Sequence, residues 1–255
     1  MKLTSKLCGT ALLAVAGVAI AAPNTKAVDN LQHDGDAYIE FTRNTEGGSN
    51  TTITKPGTTG STITNIPDVT DPGDFGIVAV TPLDFSSHEV VAGSAATEYF
   101  ALPFVANEGN ADEYLVENFV KFYDGRSTLN RAYKLYAEMT QEFTGQVEGT
   151  DVALNGSELM FTNLALTSIE PSHLQPESAD LNFGTNSLSY NVAGNKQLML
   201  ENTAANKGAG DYELTFGNQD AGTAATSVKL NLKDDIEIFE TKYTAKIQWT
   251  LEATR

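Results

Sequence analysis

The chain has 255 residues, with 16 lysines and arginines against 33 aspartates and glutamates, and its formal net charge is −17. So acidic a protein repels nucleic acid and anionic lipid headgroups, which excludes polyanion binding through a general basic surface. The single cysteine, Cys8, excludes a disulfide framework and a cysteine-rich metal site. The length suits one all-β domain with a spacer, or at most two small domains.

Residues 1–27 have the three regions of a secretory signal peptide. Two lysines precede an apolar run over about 7–22, and small residues follow it. We expect cleavage after Ala27, with a cut near Ala21 or Ala22 as the alternative. An uncleaved anchor is disfavoured because the run is short for a bilayer span and interrupted by glycine. No second long apolar stretch follows, so we expect an exported, soluble mature protein with no transmembrane segment.

The next part of the chain changes in composition. Within the N-terminal segment 28–41, "DGDAYIEF" at 34–41 alternates as a first strand would. Residues 42–74 are dominated by Thr, Gly, Pro, Asn and Asp, and their few apolar residues look insufficient for a core. We therefore predict a disordered spacer after the first strand. Three aspartates at 68, 71 and 74 have the spacing of a weak calcium site, but they lack an EF-hand pattern and are interpreted as an acidic linker.

Residues 75–255 alternate between short apolar stretches and Gly, Asn and Asp punctuation, which predicts many short strands. Asn155-Gly156 is the clearest hairpin signal, and 193–195 predicts a second tight connection. Residues 111–119 could instead form a helix. The pattern favours an all-β fold, a β-sandwich or barrel-like pair of mostly antiparallel sheets. The predicted strands are 75–85, 96–105, 114–123, 133–143, 151–154, 158–166, 187–192, 196–200, 212–216, 226–232 and 243–251.

The last of these strands, "YTAKIQWTL", contains the only tryptophan, Trp249. Apolar residues fall on one parity and polar residues on the other, as in a half-buried strand. A terminal segment stays ordered only when it is tied down. We therefore expect the tryptophan to anchor the terminus.

Several separated stretches together resemble the WxL-domain surface proteins of low-GC Gram-positive bacteria. The resemblance covers essentially the whole chain. The stretches are the strand ending "IEF", the spacer "IPDVTDPGD", "LDFSSHEV" at 83–90, "FYDGRSTLNRAYKLYAEMTQEFTG" at 122–145, "ALNGSELMFTNLAL" at 153–166, "SVKLNL", and the closing "YTAKIQWTLEATR". Tyr133-Lys134-Leu135 stands where the family has its first Trp-x-Leu motif, and "LEATR" and "GDFGIVAV" also depart from the usual family pattern.

The resemblance implies a protein that is retained noncovalently on the peptidoglycan of the bacterium's own cell wall. We expect no enzymatic activity, cofactor or metal, because the residues form no catalytic or metal-binding motif. It also implies, as a partner, a membrane-anchored protein that interacts with WxL domains. The chain shows no Leu-Pro-x-Thr-Gly sorting signal, so sortase attachment is not expected. The motif residues carried over from the family are Tyr133, Leu135, Trp249 and Leu251.

These four residues have two interpretations. They could form an exposed platform that stacks on sugar rings, or they could pack in the core between facing strands. We favour the core, because their shared strand face is what burial requires. The contact surface is then expected on polar loops at 105–113, 124–131, 168–186 and 201–211.

Two other functions stay open from the residues alone. A wall-glycan hydrolase needs only two well-placed carboxylates, and "KDDIEIFE" offers Asp234, Asp235, Glu237 and Glu240. We interpret these as a solvated turn, and the three histidines belong to no catalytic motif. The second alternative is a β module that binds an envelope partner protein or a host matrix component through an open sheet edge.

Overall fold

A computed structural model describes residues 38–40, 51–89, 97–184, 187–190 and 196–254. The chain divides into two units, Met1–Thr42 and Arg43–Arg255. Of the first unit only residues 38–40 are described; they have no regular secondary structure, and Tyr38 and Ile39 are exposed. These three residues therefore do not form the predicted first strand, and the signal peptide lies outside the described residues.

The described part of the second unit is built from seventeen strands and two single-turn 3₁₀ helices, Ser178–Asp180 and Ala224–Thr226. The strands are β1 Ile53–Thr54, β2 Thr62–Ile63, β3 Phe75–Val80, β4 Glu98–Phe100, β5 Phe104–Ala106, β6 Tyr114–Val116, β7 Asn118–Asp124, β8 Tyr133–Val147, β9 Thr150–Ala153, β10 Glu158–Phe161, β11 Leu164–Thr167, β12 Leu181–Phe183, β13 Ser187–Ser189, β14 Gln197–Asn202, β15 Gly210–Phe216, β16 Val228–Asn231 and β17 Thr244–Ala253.

Three antiparallel sheets form the body of this unit. Sheet I has the order β11-β15-β7-β3, and sheet II has the order β13-β10-β16-β4. Sheet III has the order β12-β14-β8-β17, with β9 paired to the far end of β8. The prediction of an all-β fold with antiparallel sheets is confirmed, and the described strands do not close into a barrel.

One apolar core is shared by the three sheets, because each sheet turns one side of its alternating strands towards it. The largest fully buried side chains of this inner core are Tyr133, Tyr212, Phe122, Phe161, Phe216, Leu135, Met139, Leu159, Leu188, Met199 and Leu200. Residues 111–119, for which a helix was the alternative, lie largely in the strands β6 and β7.

The prediction of a disordered spacer is wrong for residues 51–74; residues 42–50 lie outside the described part. The strands β1 and β2 pair as a short hairpin. The side chains of Ile53, Ile63 and Ile66 are buried at 2%, 4% and 7% exposure. They pack in a second, outer core with Phe119 of β7 and its neighbours. A few isoleucines suffice because the outer face of sheet I and the hairpin formed by β5 and β6 supply the rest of the apolar surface.

Hydrogen bonds to Asn107 fix this segment in place. Its side-chain Oδ1 accepts from the backbone N and the hydroxyl of Thr64, both at 2.9 Å, and its Nδ2 donates to the carbonyl of Thr62 at 2.8 Å. Asn107 is 2% exposed and has a positive φ of 54°, a backbone region that asparagine tolerates better than most residues. The polar residues of the segment therefore serve its packing.

The Asn155-Gly156 prediction is half right. The chain turns there, with Gly156 at φ 72° and the backbone N of Ser157 donating to the carbonyl of Leu154. However, β9 pairs with β8 in sheet III, whereas β10 pairs with β13 and β16 in sheet II. The turn is therefore a corner between two sheets and not a hairpin. The connection at 193–195 lies outside the described residues, and the strands flanking it also belong to different sheets.

Candidate functional site

The two motif strands are direct neighbours in sheet III. In the antiparallel register of β17 on β8, Leu251 lies opposite Leu135, Trp249 opposite Ala137, and Ala253 opposite Tyr133. Directly opposed residues lie on the same face of a sheet. The four motif residues predicted from the sequence are therefore brought together on the core side.

Their burial differs. Tyr133 and Leu135 are completely buried, whereas Trp249 and Leu251 are partly buried and pack against the inner core. The indole ring of Trp249 is stacked on Phe216 at 5.8 Å between centroids and meets Phe161 edge-on at 6.1 Å. One side of the tryptophan thus contributes to packing, and its remaining exposed part lies in a groove.

Tyr133 is the first residue of β8, at one end of sheet III, and faces sheet I. Its ring meets Phe122 edge-on at 5.3 Å, and its hydroxyl is buried with no hydrogen-bond partner among the described residues. Burial, with the nearby Tyr212 and Asp124, raises the pKa of this hydroxyl well above its ordinary value. The phenol is therefore neutral and cannot serve as a base.

Three of the four predicted contact loops converge above Tyr133. The backbone N of Arg131 donates to the carbonyl of Ala205 at 2.7 Å, and the backbone N of Gly208 donates to the carbonyl of Leu174 at 2.7 Å. We call the surface formed by residues 125–131, 171–177 and 203–209 the loop face. The fourth loop, at 105–113, is near the other end of β7, because β6 immediately precedes Asn118 whereas Asp124 leads into the loop face.

A buried carboxylate holds the first of these loops. Asp124 is 0% exposed and accepts from the backbone N, Nε and Nη2 of Arg126 at 3.1, 2.9 and 2.7 Å. The Nη1 of Arg131 lies 3.9 Å from Asp124 Oδ1, and the Arg126 guanidinium lies 4.0 Å above the ring of Phe75. A planar fork that pairs with a carboxylate through two nitrogens fixes geometry as well as charge. The Asp-x-Arg turn is therefore an internal brace.

The other two loops are braced in a similar way. The hydroxyl of Tyr212 lies within hydrogen-bonding distance of the carbonyl oxygens of Leu174 and Ala209, at 3.0 and 3.2 Å, and can donate to either. Lys207 Nζ forms an ion pair with Glu177 at 2.6 Å. Gly208 has φ 103°, and a Cβ there would lie 3.0 Å from the ring of Tyr133. Only glycine fits this close approach without strain.

The outward part of the loop face is polar with one apolar tip. Ser127, Thr128 and Leu129 are exposed, Leu129 at 98%, and Ser172 and His173 of the second loop are also exposed.

The sequence indicated these loops only as polar connections. The brace beneath them was missed, because nothing in the spacing shows that Asp124, Arg131 and Tyr212 meet.

The other sequence candidates remain dispersed. Asp234, Asp235, Glu237 and Glu240 are all exposed. His88 Nε2 is 2.7 Å from the carbonyl oxygen of Phe85, and His33 lies outside the described residues. Within the described ranges, no group of three or more His, Cys, Asp or Glu residues is arranged to hold a metal ion. Nor does that part of the chain contain a helix long and apolar enough to cross a membrane.

A family model described as "WxL domain surface cell wall-binding" matches residues 28–254, nearly the whole chain. The match includes both motif strands, the loop face and the segment that was predicted to be a spacer. Comparisons with curated proteins and with solved structures gave no match.

Proposed function

Because the chain belongs to the WxL family of surface cell wall-binding domains, we propose that it is exported and held noncovalently on peptidoglycan through the loop face. The observation that carries the proposal is the convergence of three loops, distant in sequence, on one braced surface. A surface ordered before binding loses little conformational entropy when it binds, so weak polar contacts suffice for affinity.

The chemistry of the loop face suits a glycan that carries short peptides. Ser127 and Thr128 offer hydroxyls to sugar hydroxyls and amides, and Leu129 offers an apolar contact to the C–H face of a sugar or to an alanine methyl. The cations Arg126 and Arg131 are paired with Asp124 and do not form a free basic patch. Recognition therefore depends on hydrogen bonds and shape more than on net charge.

Co-sedimentation with purified, protein-stripped cell walls tests this proposal. The wild-type protein should pellet, and Leu129→Asp should reduce the pelleted fraction while unfolding at the same denaturant midpoint, because the altered side chain is 98% exposed. Leu115→Asp is the matched control, since it makes the same change at a 47% exposed leucine near the opposite end of β7. Equal loss of pelleting in both variants would contradict a role for the loop face.

The same assay separates glycan from protein as the ligand. Pelleting only with envelopes that retain their proteins would favour a membrane-anchored WxL-interacting partner, and binding only to host matrix would favour a host target. Denaturant should release bound protein at the mass of the signal-cleaved chain, with no wall fragment attached, if retention is noncovalent. N-terminal sequencing of secreted material should begin near Val28, and retention of Met1 would contradict export through a cleaved signal.

We propose that the protein has no hydrolytic activity. The acidic side chains of "KDDIEIFE" are exposed to solvent. A glycoside hydrolase needs at least one carboxyl group in a partly buried, apolar site, and these residues do not provide one. The double variant Asp234→Asn and Glu237→Gln should therefore bind walls as the wild type does. Wall hydrolysis by the wild type that disappears in the folded double variant would overturn this.

A further inference from the structure

A groove of about 1800 Å³ lies apart from the outward side of the loop face. Its walls are the segment 81–89, which has no regular secondary structure, with Leu83 and Phe85, and residues between 238 and Trp249. Its floor is made of partly buried apolar side chains that pack on the inner core, namely Tyr99, Phe143, Tyr243, Ile247 and Trp249. This volume exceeds the 300–1,000 Å³ typical of small-molecule sites, so the groove suits a polymer segment.

The groove runs beside a sheet edge. Among the described residues, β17 pairs only with β8, so no strand is hydrogen-bonded to the other edge of this ten-residue strand. An exposed strand of that length is a template for a further strand unless something covers it. The apolar floor favours a polypeptide strand with alternating apolar side chains over a sugar chain, because buried sugar hydroxyls would lack partners there.

The charges around the groove indicate the composition of such a strand. Asp68, Asp84, Glu89 and Glu240 line it and are exposed, and none of them forms an ion pair within the described ranges. Lys242 is the one lysine among the described residues that line the groove. A second copy of this acidic chain would bring more negative charge to the same place. The complementary occupant therefore alternates apolar residues with lysine or arginine.

We propose that this groove binds an extended, basic strand of another protein, which adds to β17 and inserts its apolar side chains over Trp249. The groove then serves for assembly with a protein partner, separately from wall binding at the loop face. Main-chain hydrogen bonds to β17 supply affinity, and alternate side chains supply specificity.

The single tryptophan provides the readout. A synthetic ten-residue peptide that alternates Val and Lys should shift Trp249 emission to the blue and protect it from iodide, because the strand would cover the exposed part of the indole. A Val/Glu peptide of equal length should give no shift.

Paired variants locate the binding. Ala245→Glu places a carboxylate in the groove wall and should weaken the Val/Lys peptide by roughly ten-fold or more, because a charge buried without a partner is costly. Gln248→Glu makes the same charge change on the exposed face of β17 and should bind the peptide as the wild type does. Both variants should still pellet with protein-stripped walls, which distinguishes this proposal from the proposed function.

Four results would overturn the proposal. The Val/Lys peptide could leave Trp249 emission unchanged, the Val/Glu peptide could bind equally well, or Gln248→Glu could weaken binding as much as Ala245→Glu. Protection of Trp249 from iodide in the free protein, unchanged by peptide, would show that the groove is already covered, and this too would reject a partner strand.

Discussion

The two cores of the molecule differ in how their apolar residues are supplied. The inner core receives alternating side chains from long strands of three sheets, including Tyr133 of β8. The outer core receives three isolated isoleucines from a segment rich in Thr, Gly and Pro, placed against the outer face of sheet I. A segment therefore need not be hydrophobic to fold, provided that its partner surface is.

The largest effect is expected in the inner core. Tyr133→Ala removes a fully buried ring that contacts Phe122 and supports the loop face. By analogy with other large-to-small aromatic changes, we expect a loss of about 3–5 kcal/mol in the free energy of unfolding. Urea denaturation measures this, and a loss below about 1 kcal/mol would show that β8 does not organise the core as described.

A smaller and more local effect is expected in the outer core. Ile63→Ala should lower the free energy of unfolding by about 2–4 kcal/mol and increase proteolysis within residues 51–74. Ile169→Ala is the matched control, because Ile169 is 44% exposed whereas Ile63 is 4% exposed. Equal, negligible effects of both changes would restore the interpretation of this segment as a spacer.

The junction of segment 51–74 with sheet I predicts a pH dependence. Lys121 Nζ lies 3.4 Å from Asp211 Oδ1 and 3.5 Å from Glu213 Oε1. Burial raises the pKa of Glu213 above its ordinary 4.5, although Lys121 and a hydrogen bond from the backbone of Gly57 lower it in part. The folded state then binds more protons than the unfolded state above pH 4.5, so stability falls as pH rises through that window.

Glu213→Gln tests this sign. The variant should lose part of the decline in unfolding free energy between about pH 4.5 and the raised pKa of Glu213, because the amide does not titrate. Glu108→Gln, at an exposed position of the β5–β6 hairpin, should keep the wild-type slope. A steeper decline in Glu213→Gln than in the control would contradict the stated cause.

The smallest effect is expected from removing one oxygen. Tyr133→Phe deletes a buried hydroxyl that has no hydrogen-bond partner among the described residues, so we expect a stability within about 0.5 kcal/mol of wild type, or slightly higher. Thermal unfolding of this variant beside Tyr133→Ala separates the contribution of the ring from that of the hydroxyl. A marked loss in Tyr133→Phe would indicate a polar contact beneath the loop face.

Period-two alternation was enough to predict most strands and the common face of Tyr133, Leu135, Trp249 and Leu251. It failed for Ile53, Ile63 and Ile66, because their burial depends on a surface supplied by strands distant in sequence. It also misjudged Asn155-Gly156, since a turn signal specifies a local reversal and not the sheet that each strand joins. Of the brace centred on Asp124, only the pairing with Arg126 is local in sequence, whereas the approach of Arg131 and of the Phe75 ring depends on how β3, β7 and β8 pack.

Amide hydrogen exchange, with and without soluble glycan fragments from protein-stripped walls, tests the central claim most directly. If the loop face binds the wall, added fragments should slow exchange in residues 125–131 and 203–209 and leave the β5–β6 hairpin unchanged. Slowed exchange confined to that hairpin, or to β17 and the groove beside it, would contradict wall binding through the loop face.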